Sequence, residues 1–227
     1  NQNADLIYDL GTNKNPCGGG TSTIVYNPNT NKVEKEYLSL AGTLINCGGG
    51  ITPWGTWISC EETVDIKGKG LNKNHGYNFE VIPSEKAKLN KAIPLKSMGR
   101  FRHEAIAIDP KTNIAYQTED RDDGLIYKYI PNNLKEYGIS GKIQAMSIQS
   151  LESNDTRNWN TQLVEQSKEY LVKWIDIDNT NQNEDNLRYK GQNLGASIFA
   201  RPEGMWHNSQ QIYFTCTTGG PKRLGQI

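Results

Sequence analysis

The feature that most constrains this chain is a frame that occurs twice. Arg102-His103-Glu104 leads into the apolar run Ala105-Ile106-Ala107-Ile108, a turn at Asp109-Pro110, and a second run, Ile114-Ala115-Tyr116-Gln117-Thr118. Arg201-Pro202-Glu203 leads in the same way into residues 204–208, then Ile212-Tyr213-Phe214-Thr215-Cys216-Thr217. Residues 56–61 look like a third copy of the second strand, preceded by Gly48-Gly49-Gly50, and the aromatic strands 76–81 and 124–129 follow in turn. Each unit reads as a short strand, a tight turn and another strand. Recurrence of such units every 40 to 50 residues is the mark of a β-propeller, and the two Arg-x-Glu copies lie about two such lengths apart. The expected fold is therefore all-β: a β-propeller with four to five recognisable blades, part of a six-bladed ring, forming one domain over residues 1–227 as an incomplete portion of a longer chain. Helical periodicity is scarce. Residues 160–172 are expected to hold a short surface helix or a connecting loop, and residues 84–90 are a second helix candidate.

Composition narrows the partners. With Lys+Arg 25 against Asp+Glu 25 the formal charge is zero, so the field needed to hold a nucleic-acid backbone or an anionic membrane is missing. No apolar run approaches the roughly 18 to 20 residues that a membrane helix needs. Neither nucleic acid nor membrane is expected as a partner. The four cysteines, Cys17, Cys47, Cys60 and Cys216, form neither a disulfide framework nor a Cys-x-x-Cys zinc pattern. The N-terminal Asn1-Gln2-Asn3-Ala4-Asp5 lacks the basic and apolar parts of a signal peptide, as a mature or truncated chain would. There is no Gly-x-Ser-x-Gly elbow, P-loop, dinucleotide fingerprint or His-Glu-x-x-His.

In a propeller a residue repeated at one blade position faces its copies across the central channel, so Glu104 and Glu203 are expected to converge. Clustered carboxylates repel and are costly to desolvate, and a multivalent cation is the expected compensator. Cys60, Glu61 and Glu62 stand at a comparable strand end, as do Glu119 and Asp120, and strand alternation puts Cys60 and Glu62 on one side. Carboxylate oxygens suit calcium and sulfur suits a transition metal such as iron. Plainer readings stand beside these. An isolated Arg-x-Glu is usually a surface ion pair, a cysteine in a strand is usually a small buried apolar residue, and residues 120–124 read as a solvated hairpin turn as readily as a calcium loop. Trp54, Trp57 and Trp206 are expected as core anchors, and His75 and His207 at the periphery. Alternation points His103 away from Glu104. Residues 46–50, Asn-Cys-Gly-Gly-Gly, read only as a flexible backbone turn.

The segment from Asn46 to Glu62, NCGGGITPWGTWISCEE, resembles the signature segment of the PhoX-type alkaline phosphatases. Residues 99–105, 116–121 and 200–206 resemble three further family segments in the same order. The resemblance implies a calcium-dependent phosphomonoesterase on a propeller, with calcium and iron in the channel and export to the periplasm or beyond. It matches Cys60 to an iron-ligating cysteine, Glu104 and Glu203 to metal-ligating glutamates, and Arg201 to the arginine that holds phosphate. Glu61, Glu62, Glu119 and Asp120 fall within matching segments as further metal candidates. Small phosphate monoesters are the expected partners of a monomer. The alternatives are a non-catalytic propeller stabilised by calcium, and a phosphodiesterase.

Overall fold

A computed structural model describes residues 3–208 and 210–227. The chain is mostly β, as the turn-punctuated pattern predicts. Its largest element is an eight-stranded sheet made of two antiparallel meanders. The first comprises β3 (Asn46–Ile51), β4 (Trp57–Glu61) and β5 (Asn78–Val81). The second comprises β6 (His103–Ile108), β7 (Ala115–Glu119), β8 (Ile126–Pro131), β9 (Gly141–Ile148) and β10 (Val172–Ile177). They meet where β3 runs parallel to β6, in register at Gly49 and Ala105. Two hairpins complete the β structure: β1 (Gly19–Asn27) with β2 (Lys32–Thr43), and β11 (Pro202–Asn208) with β12 (Gln211–Cys216). The eight-stranded sheet does not close on itself.

β6 has apolar residues on both faces because both are covered. Ile106 and Ile108 join Ile58, Phe101, Tyr127 and Ile143 in the main core, while Ala105 and Ala107 pack with Ile126, Phe199 and Met205 on the other side. Full burial of an isoleucine contributes roughly 1.5–3 kcal/mol, so this strand is among the best anchored. The small Ala105 and Ala107 let β11 lie against β6 and β7.

Several expectations need correction. Residues 160–171 form the connecting loop and not a helix, residues 84–90 form no helix, and the α-helix among the described residues is α1, Leu187–Asn193. Trp54, Trp57 and Trp206 are exposed rather than core anchors. Trp54 lies in the β3–β4 turn and Trp57 and Trp206 on solvent-facing strand positions, whereas Tyr127, Tyr129 and Phe101 supply the large buried rings. His75, expected at the periphery, is wholly buried.

Candidate metal centre

Three glycines determine how closely β3 approaches its neighbours. A Cβ on Gly49 would stand 2.0 Å from the Ile58 carbonyl oxygen, and one on Gly50 would stand 2.0 Å from that of Ile106. Gly49 also has φ 63, a conformation that glycine adopts without penalty. With side chains absent here, β3 wedges between β4 and β6 and carries Cys47 to Glu104, whose Oε1 accepts from the thiol at 2.8 Å.

The pairing slips at this level in three strands: between Cys47 and Gly50 of β3, between His103 and Ile106 of β6, and between Pro202 and Met205 of β11. Such irregularities re-aim side chains that regular alternation would send elsewhere. Each slip lies at a donor: Cys47, Glu104 and Glu203. One donor atom each from Cys47, Glu62 and Glu104 lie within 4.8 Å of one another.

The surrounding charges extend this trio. Asp120 interacts with both Glu62 and Glu104, and Glu203 with Glu104. Arg201 donates from Nε and Nη2 to the two oxygens of Asp120, at 2.9 and 2.7 Å, and its Nη2 lies 3.0 Å from Glu203. Arg102 is 3.9 Å from Glu62. Burial, then the neighbouring Asp120, raises the pKa of Glu62; burial, then the charges of Glu62, Asp120 and Glu203, raises that of Glu104 against the bond from Cys47. Burial also pushes the Cys47 thiol up, to about 12. Four carboxylates and a thiol thus share two guanidinium groups, and the cluster is short of positive charge. The donors fit metal ions: oxygens for a hard cation such as calcium, and one sulfur for a transition metal such as iron.

Of the residues singled out in the sequence, Glu62, Glu104, Asp120, Arg201 and Glu203 come together, and three others have different surroundings. Cys60 pairs across the strands with Cys47 and is close enough to Cys47 and Glu104 for their charges to raise its pKa after burial, but it is wholly buried in the main apolar core. Glu61 is also buried, with its carboxylate saturated: Oε1 accepts from Leu44 N and lies 2.7 Å from His75 Nδ1, and Oε2 accepts from Gly76 N and Tyr77 N. Glu119 accepts from the Tyr127 hydroxyl and lies 3.9 Å from Arg188 of α1. Cys47 is the residue that sequence reasoning missed. Its signal was the glycine run beside it, which read as looseness and is a close strand approach.

The alkaline phosphatase PhoX family matches over residues 18–226. Among solved structures, Pseudomonas fluorescens PhoX in complex with vanadate, a transition state analogue, matches with a TM-score of 0.56 and 18% identity. The match covers 91% of this chain and 48% of that one, so this chain spans about half the length of its structural relative. No curated protein sequence matches it.

Proposed function

The chain belongs to the PhoX alkaline phosphatase family, and on that premise we propose that it carries a metal-dependent phosphomonoesterase centre. Cys47, Glu62, Glu104, Asp120 and Glu203 would hold the ions, calcium on oxygen and iron with the help of sulfur. The observation that carries this reading is the convergence of those five side chains and Arg201, with Cys47, Glu104 and Glu203 each at a strand irregularity. Bound cations supply Lewis-acid stabilisation of charge on the phosphoryl oxygens.

Arg201 is the phosphate-gripping group in this reading. Asp120 engages Nε and Nη2, which leaves Nη1 for a phosphate oxygen, and the side chain is 41% exposed and accessible to a small substrate. Asp120 and Glu203 fix the plane of the guanidinium before substrate arrives, so less ordering entropy is lost on binding. The two meanders are read as propeller blades within a single domain, with β3, β6 and β11 nearest the axis. Small phosphate monoesters are the substrates, in a monomer exported to the periplasm or beyond. Zero formal charge argues against nucleic acid or an anionic membrane as a partner.

The test is phosphate release from a small aryl phosphate by the full chain loaded with calcium and iron. Monoester turnover that chelation abolishes, with the circular dichroism of the fold retained, is expected. A loaded chain that never hydrolyses the ester points to the non-catalytic propeller, and preference for a diester to the phosphodiesterase. Arg201→Ala should weaken inhibition by inorganic phosphate by about 2 kcal/mol, roughly thirtyfold, through loss of charge-assisted hydrogen bonds.

A further inference from the structure

A second set of donors lies apart from the Glu104 cluster, between the N-terminal loop and the segment that joins β4 to β5. Asp9, Cys17 and His75 each place one donor atom within 4.8 Å of the others. Asp9 and His75 are wholly buried and Cys17 is half-buried. We propose that these three residues form a zinc site, with Asp9 Oδ2, Cys17 Sγ and His75 Nε2 as ligands and a fourth position open to water.

Four observations carry this. One nitrogen, one oxygen and one sulfur form a ligand set that suits zinc. His75 Nε2 stands 3.3 Å from Asp9 Oδ2, longer than a charge-assisted bond of about 2.7–2.9 Å. Two ligands on a tetrahedral zinc, each about 2.0–2.1 Å from the ion, stand about 3.3 Å apart. Glu61 Oε1 lies 2.7 Å from Nδ1 on the opposite edge of the ring. A carboxylate that accepts a hydrogen bond from Nδ1–H leaves the Nε2 lone pair for the metal, the usual support of a zinc-bound histidine. Lastly, Asp9 is held in place: Gly11 N donates to Oδ1 at 2.7 Å, and Asn72 N and Lys73 N each donate to Oδ2 at 2.9 Å.

The protons can be accounted for. Zinc would bind the Nε2 lone pair of His75 and the thiolate of Cys17, and the thiol proton, with any proton on Nε2, would pass to solvent. The Nδ1 hydrogen stays on the Glu61 side of the ring. The loop that carries Cys17 would draw in slightly, tying the start of the chain to the β4–β5 connection.

The full chain bearing Cys47→Ser, which removes the half-buried thiol of the Glu104 cluster, isolates the site. Cobalt(II) serves as the zinc probe, because a thiolate ligand gives it a near-ultraviolet charge-transfer band. One equivalent is expected to produce that band and zinc to abolish it, while adding Cys17→Ser removes the band and weakens cobalt binding at least tenfold with circular dichroism unchanged. Zinc is also expected to raise the thermal midpoint of the Cys47→Ser chain but not of the double variant. No band in the folded Cys47→Ser chain, or a band untouched by Cys17→Ser, would overturn the site. Phosphate release plays no part in these readouts, so this inference and the phosphatase reading fail separately.

Discussion

Cys47 and Cys60 are cross-strand partners, yet their surroundings differ. Cys47 donates its thiol hydrogen to Glu104, while Cys60 is enclosed by the apolar core. Cys47→Ser should therefore lower the iron bound per chain, measured by elemental analysis, while Cys60→Ser should leave it near the parent value and lower stability by about 1–3 kcal/mol through a buried hydroxyl. The reverse pattern would return the sulfur ligand to Cys60. The place of Cys60 in a strand was legible from alternation. The depth of Cys60 was not, because depth depends on Phe101, Tyr127 and Ile143, which arrive from distant segments. His103 gives a second test at this scale. It is buried in the direction alternation predicts, away from Glu104, and burial pushes its pKa down to about 3. Below about pH 6.5 the unfolded chain takes up a proton that the folded chain refuses, so acid should cost up to about 1.4 kcal/mol per pH unit. His103→Gln should flatten that dependence in urea midpoints compared at pH 7 and pH 5. Identical slopes in the two proteins would show that His103 is not the group responsible.

Among the elements, the glycine run of β3 has the largest consequence. Gly50→Ala would drive a Cβ into the Ile106 carbonyl, and we expect a loss of about 2–4 kcal/mol in unfolding free energy together with weaker metal binding. Gly18→Ala is the control: nothing lies within 4 Å of its Cβ, and the change should stay within about 0.5 kcal/mol. Equal effects in a denaturant titration would refute the close-approach account. Strands β4, β6, β7 and β12 were legible because β-branched and aromatic runs end at Pro, Asn or Gly turns. The helix α1 was not. Its two turns, Leu187–Asn193, hold a glycine at Gly191, and that glycine is needed because Leu125 and Ile177 press against it. Tertiary packing there overrides a weak local preference.

At the scale of the whole molecule, the repeat in the sequence corresponds to a physical recurrence, since each of the Arg-x-Glu copies begins a hairpin whose first strand slips register at its glutamate. Ions held between β3, β6 and β11, as proposed, would bind only the folded chain and should stabilise it. At a free concentration of about a hundred times Kd, each site adds about 2.7 kcal/mol. Calcium and iron should accordingly raise the midpoint of thermal unfolding and a chelator should reverse the gain; a midpoint indifferent to both would mean that the carboxylates hold no ion.

The contact between Cys47 and Glu104 spans 57 residues of chain, and the one between Arg201 and Asp120 spans 81. No short fragment contains these partners, so the centre cannot form ahead of the architecture around it. During synthesis the ribosome must deliver Glu203 before the proposed donor set is whole, so ion capture would be a late event that reports completed assembly.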